Sequence, residues 1–218
     1  RAHRRHRRRE ARGGGLGRTS GHPLTTGKSL SDFGEEFRLT LLTNDPILAE
    51  RADGWGVDRI GLDLERLGKT KRQRGEGLRL SAHRAGELPA IRRVLRRAAA
   101  FVRVNPIHAR TEAEIESVLA AGAQVVMLPY FRTAVEVERF VRCVDGRAKA
   151  TVLVETAPAV VRIRDILSVS GLDEVMLGLN DLRIELRLRN VFELLVSPLL
   201  ECLADETRVR NLPFSVGG

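Results

Sequence analysis

Seven short runs rich in Val, Ile and Leu, each separated from the next by a longer stretch with helical features, constrain this chain more than any other feature. The runs are Phe37–Thr43, Arg59–Glu65, Ala100–Asn105, Gln124–Pro129, Thr151–Thr156, Glu174–Leu179 and Leu212–Val216. They are mostly continuous rather than alternating, as strands are when both faces of their sheet are covered. Between them lie helix signals. Asp45 before Pro46 predicts an N-cap with proline in the first turn, and Thr111–Glu114 and Thr133–Glu136 predict capping boxes. Gly122 and Gly146 fall where those two helices should stop, and Ile115, Val118 and Leu119 give the first of them an apolar face. Strands that alternate with helices and never form hairpins require right-handed crossovers and a parallel sheet.

Two α/β architectures meet that requirement, a doubly wound sheet and a (β/α)8 TIM barrel. A dinucleotide-binding sheet would place G-x-G-x-x-G after its first strand, where this chain has Leu42-Thr43-Asn44-Asp45-Pro46. The run Gly13–Gly15 precedes every strand signal and so is not a phosphate loop. The expectation is therefore a barrel, and an incomplete one. Seven strands are visible, the eighth is missing at the C-terminus, and a gap is expected between the first and seventh. Residues 37–218 are read as a single truncated barrel domain.

The net charge of +9 suggests a nucleic-acid binder until it is mapped. Residues 1–28 hold eight Arg and one Lys against Glu10 alone, so the rest of the chain is almost neutral. Residues 1–36 are read as a basic, disordered tail. No aromatic residue interleaves with the arginines as a stacking platform requires, so nucleic-acid binding is not expected beyond a non-specific contact by this tail. No apolar run is long enough to cross a membrane. The two cysteines, Cys143 and Cys202, form neither a disulfide framework nor a metal motif, which favours a reducing, cytoplasmic setting.

In barrel enzymes the chemistry gathers at the C-terminal ends of the strands. The polar residues ending these runs are Asn44, Asp63 with Glu65, Arg103 with Asn105, Glu155, and Asn180 with Asp181. Glu155 and Asp181 close consecutive strands, which in a parallel sheet lie about 4.8 Å apart. Like charges brought together need a cation or a shared proton, and an all-oxygen donor set suits Mg²⁺ or Mn²⁺. The alternative is that each carboxylate caps a helix or pairs with a basic neighbour. Arg103 offers planar donors for a carboxylate or an enolate oxygen, or else an ion pair with Asp63 or Glu65. Between the second strand and its helix stand about twenty polar and basic residues, 66–85, either a lid or binding loop or a plain insertion. His83 within this loop is either an acid or base or a solvated side chain, and His108 has no readable partner.

The segments GLDLE (61–65), FVRVNP (101–106), VVMLP (125–129), LVETAPAVV (153–161), GLDEVMLGLNDL (171–182) and LPFSVGG (212–218) together resemble the HpcH/HpaI aldolase and citrate lyase β-subunit family of pyruvate-type TIM barrels. The resemblance implies a divalent metal, commonly Mg²⁺, on Glu155 and Asp181. It implies that Arg103 contacts the substrate, while their strand-end positions name Asp63 and Glu65 as catalytic candidates and Asn44, Asn105 and Asn180 as substrate-binding ones. The implied activity is carbon–carbon lyase or aldolase chemistry on a 2-keto or hydroxy acid, or on an acyl-CoA ester of the citryl or malyl type. The implied assembly is a trimer or hexamer. The chain departs from the family twice. Arg66 follows Glu65 where pyruvate aldolases carry a catalytic histidine, and Tyr130 follows Pro129 where CoA lyases carry lysine. Two readings of other classes stand beside the enzyme: an inactive barrel relic and a nucleic-acid-associated protein acting through its tail.

Overall fold

A computed structural model describes residues 37–72 and 81–217. The expected disorder of residues 1–36 falls outside them, as does the middle of the 66–85 loop. The seven runs are seven strands: β1 (Thr40–Leu42), β2 (Arg59–Asp63), β3 (Ala99–Arg103), β4 (Val125–Leu128), β5 (Lys149–Val154), β6 (Glu174–Gly178) and β7 (Phe214–Gly217). They form one sheet in chain order, every neighbouring pair parallel. These are seven of the eight strands of a (β/α)8 barrel. Among the described residues β1 and β7 are the two edges, and no register joins them.

The crossovers carry α1 (Pro46–Gly54), α2 (Lys69–Arg72), α3 (Leu88–Val94), α4 (Thr111–Ala120), α5 (Ala134–Val144), α6 (Ala157–Val161), α7 (Ile163–Leu167), α8 (Leu179–Glu185), α9 (Phe192–Leu195) and α10 (Pro198–Val209). Asp45 caps α1 through its side chain, with Pro46 behind it, as the sequence predicts. The Thr133–Glu136 box closes in both directions on α5. The box expected at Thr111 does not form. Arg110 is the N-cap of α4 and makes no side-chain cap bond. Thr111 already lies inside the helix, its hydroxyl donating to the His108 carbonyl at 3.0 Å. Glu114 is drawn away to the Asn105 amide and the His108 ring. Both glycines sit just past their helices at positive φ, 96° for Gly122 and 65° for Gly146. No described helix is long and apolar enough to cross a membrane.

Each strand sorts its side chains by parity, as a pleated backbone must. Ala100 and Val102, Val126 and Leu128, Val152 and Val154, and Val175 and Leu177 join the main core under the helices. The alternate positions Phe101, Val125, Met127 and Leu153, with Ala99 and Met176, form a second, smaller cluster on the inner face. The same inward row contains Arg59, Asp63, Arg103, Glu155 and Glu174. The buried guanidinium of Arg59 on β2 meets the buried carboxylate of Glu174 on β6 in a two-bonded ion pair. Four strand spacings of about 4.8 Å would separate those strands by roughly 19 Å in a flat sheet. The pair therefore requires the sheet to curl around its inner face, and the same curl brings the far ends of these strands together.

Candidate active site

At the C-terminal ends of the strands the curl gathers three carboxylates. Glu65, just beyond β2, Glu155, just beyond β5, and Asp181, in the first turn of α8, are all buried and place one oxygen each within 4.8 Å of one another. The sequence reading pairs Glu155 with Asp181; the structure adds Glu65, which contiguity along the sheet could not indicate because β2 lies across the barrel. Asp181 stands three residues past the end of β6 rather than at its tip, so the helix turn, not the strand, aims it. Gly178 makes room for the cluster. A Cβ there would lie 2.7 Å from the Glu155 Cβ and 2.8 Å from its Oε2.

Asp63 and Glu65 are tied to cations. Arg103 donates from Nε to Asp63 Oδ1 at 2.9 Å and from Nη2 to Oδ2 at 2.7 Å, and its Nε lies 3.5 Å from Glu65 Oε2. The ion pair and the substrate-facing position named for Arg103 from the sequence are thus compatible, since the pair fixes the rotamer of a side chain at the site. Two further cations come from the 66–85 loop and were not foreseen. Lys69 Nζ lies 3.0 Å from Glu65 and 3.2 Å from Asp63. Arg72 pairs with Glu65 Oε1 and reaches Asp181 Oδ2 at 3.2 Å. Its guanidinium stacks 3.6 Å from the centre of the Tyr130 ring. Tyr130, at φ 49°, turns its N–H onto Glu155 Oε1 at 2.9 Å.

Burial and the charges of Glu65 and Asp181 push Glu155 up to about 8, although Arg103 and Arg72 pull the other way. Burial also works to raise Asp63, but the Arg103 hydrogen bonds and charge, with Lys69, outweigh it and hold that carboxyl below the usual range. Burial acts to lower Arg103 and Arg72, yet their carboxylate partners win and both are raised.

The remaining residues named from the sequence lie farther out. Asn105 is half-buried and its amide holds the loop: Oδ1 accepts from the N–H groups of Arg66 at 2.9 Å and Leu67 at 3.0 Å, while Nδ2 donates to Glu114 at 2.7 Å. Asn44 is exposed and donates to Glu87 at 3.1 Å. Asn180 is half-buried in α8 beside Asp181. His83, half-buried, accepts the Asp63 N–H on Nδ1 at 3.0 Å, and His108 meets Glu114 at 2.9 Å. Neither partnership has a sequence signal, because each depends on where a loop returns.

The donor set suits a hard divalent cation. It is all oxygen, buried, and its like charges are close enough to share one ion. Glu65 Oε2 also lacks a hydrogen-bond partner although buried, being held only by charge from Lys69 and Arg103.

Residues 37–193 match the sequence model of the family described as HpcH/HpaI aldolase/citrate lyase. Curated proteins yield no sequence match. Among solved structures, an HpcH/HpaI aldolase from Desulfitobacterium hafniense DCB-2 superposes with a TM-score of 0.67 at 17% identity, over 85% of this chain and 80% of that one. The citrate synthase SbnG gives 0.66 at 18% identity, over 86% and 80%. A citrate lyase beta subunit from M. tuberculosis, complexed with oxaloacetate and magnesium, gives 0.54 at 19% identity, over 83% and 79%. At these identities the likeness is one of fold.

Proposed function

This chain belongs to the HpcH/HpaI aldolase/citrate lyase family, and from that premise we propose that it is a divalent-metal-dependent carbon–carbon lyase acting on a 2-keto or hydroxy acid. The observation that carries the reading is the convergence of Glu65, Glu155 and Asp181 within 4.8 Å at the strand ends, beside an arginine held by Asp63. Glu155 and Asp181 hold the metal, with Glu65 in reach. Bound there, Mg²⁺ or Mn²⁺ supplies Lewis-acid polarisation of a substrate carbonyl.

The chain's own residues supply the rest. Arg103 faces the substrate's carboxylate or the oxygen on which negative charge develops, and a fixed guanidinium there stabilises that charge without reorganising. Asp63 orients Arg103 through two hydrogen bonds. Lys69 sets a positive charge against both Asp63 and Glu65, offsetting their negative charges within a buried site. His83 accepts a backbone N–H on Nδ1, which in the neutral ring leaves the proton on Nε2. In that tautomer the ring is a hydrogen-bond donor rather than a base. The reading gives Asn180 and Asn44 outer positions on the substrate side, and Asn105 the task of holding the loop.

The citrate lyase subunit binds oxaloacetate with magnesium, which supports a small carboxylate substrate. The experiment that tests the reading is Mn²⁺ titration of wild type and Glu155→Gln, with turnover of oxaloacetate, 4-hydroxy-2-keto acids and short acyl-CoA esters. Metal-dependent turnover of a keto or hydroxy acid, lost in Glu155→Gln, is expected. Equal Mn²⁺ binding by both proteins would overturn the metal assignment, and turnover confined to acyl-CoA esters would move the substrate class.

A further inference from the structure

Arg72 is seated on Asp181, one of the two ligands named by the metal reading, and on Glu65, which lies in reach of the same ion. One nitrogen, Nη2, contacts both Glu65 Oε1 and Asp181 Oδ2, two of the three carboxylates that converge. A Mg²⁺ ion held by Glu155 and Asp181 would draw on the same cluster of carboxylates that this guanidinium now neutralises. The two cations compete for the same negative charge.

The segment bearing Arg72 is built to be seated rather than packed. Helix α2 is only four residues long, too short to persist by its own hydrogen bonds. Its near end is clamped, because Asn105 Oδ1 takes the N–H groups of Arg66 and Leu67. Its far end is held by charge and stacking, through Glu65, Asp181 and the Tyr130 ring. The Arg72 Nε is buried without a hydrogen-bond partner, so the seated side chain leaves one polar group unsatisfied. Lys69, by contrast, stays with Asp63 and Glu65 close to the clamp.

Resting on the metal reading above, we infer that Arg72 is an exchangeable internal cation: α2 closes the carboxylate cluster with its guanidinium, and a divalent ion enters only as Arg72 withdraws. The Asn105 clamp is the fixed end of this movement, and the Tyr130 ring is the surface Arg72 leaves. In the metal-loaded site a guanidinium is then released beside the carboxylate cluster, where it attracts an anionic substrate. Metal binding and loop position are thereby one equilibrium, since each ligand of the cluster favours a different position of α2.

The test uses the full chain and Mn²⁺ as the probe. Free Mn²⁺ is followed by electron paramagnetic resonance for wild type, Arg72→Gln and Glu155→Gln, and hydrogen exchange of backbone residues 66–72 is followed in wild type with and without saturating Mn²⁺. Arg72→Gln is expected to bind at least tenfold more tightly than wild type, and Mn²⁺ is expected to speed exchange at Lys69–Arg72 in wild type. If Arg72→Gln binds no more tightly while Glu155→Gln binds less, the metal site stands and the exchange idea falls. If Glu155→Gln binds as wild type does, the metal reading itself falls. Should Arg72→Gln fail to fold, the wild-type exchange measurement decides alone: no change at residues 66–72 on saturation overturns the inference.

Discussion

Replacing Glu174 by Gln should destabilise the barrel far more than its distance from the active site would suggest. The side chains of Arg59 and Glu174 are 5% and 8% exposed, and Arg59 Nη1 donates to Glu174 Oε1 at 2.8 Å. Gln keeps the shape but not the charge, and leaves a guanidinium in an interior with little water. Breaking a buried pair from one side costs about 3–5 kcal/mol, because the remaining charge is uncompensated. Gln retains one acceptor, which places the expected loss near the lower bound, about 3 kcal/mol. For a domain of this size each kcal/mol lowers Tm by roughly 2–4 °C, so a drop of about 6–12 °C is expected in calorimetry at pH 7. The double variant Arg59→Met/Glu174→Leu removes both charges and extends the apolar cluster of Phe101, Val125, Met127, Leu153 and Met176. It should recover most of the loss, since matched apolar replacements of buried pairs are often neutral or better. A double variant as unstable as Glu174→Gln would refute the reasoning, and so would a single variant within about 1 kcal/mol of wild type.

The pH dependence of stability should fall on Glu155, raised from 4.5 to about 8. Between those values the folded chain holds a proton that the unfolded chain has lost, so stability declines as pH rises through the window, by up to about 1.4 kcal/mol per pH unit. Denaturant titrations from pH 5 to 9 should show this slope in wild type and a flatter one in Glu155→Gln; identical slopes would contradict it. Gly178→Ala should cost about 1–3 kcal/mol by overpacking and weaken Mn²⁺ binding at least tenfold by displacing Glu155; wild-type affinity and Tm together would show that the site has slack. Asp53 accepts the N–H groups of Arg96 at 3.1 Å, Arg97 at 3.0 Å and Ala98 at 2.6 Å. Asp53→Ala should therefore cost about 3 kcal/mol in urea unfolding by stranding those donors, and a loss below about 1 kcal/mol would mean that water replaces the carboxylate.

The strands were legible because burial on both faces leaves continuous apolar runs, and the terminal residues of those runs became the inward row at the site. Asp63, Arg103 and Glu155 could be found on that ground alone. Glu65 could be named but not grouped with Glu155 and Asp181, because grouping depends on how tightly seven strands curl, and no local pattern encodes that. Lys69 and Arg72 were hidden for another reason. Their loop has no hydrophobic period, and Arg72 meets Asp181 across 109 residues of chain. Thr111 misled because its pattern was right locally, while Glu114 had better partners in Asn105 and His108.

The ion pairs that close this barrel also set a timetable for its synthesis. Arg59 waits 115 residues for Glu174, and Arg72 waits 109 for Asp181. At a ribosomal rate of about 5–20 residues per second, that interval is roughly 5–20 s in which the nascent chain carries half of each pair. Glu65 is provided for in the meantime, because Lys69 stands only four positions behind it and emerges almost with it. Arg59 meets its buried partner only once β6 is made, because Glu174 closes the barrel floor. A ribosome that pauses before β6 would therefore hold the chain with its inner face open and its floor cation bare, which is the stage at which a chaperone would find most to bind.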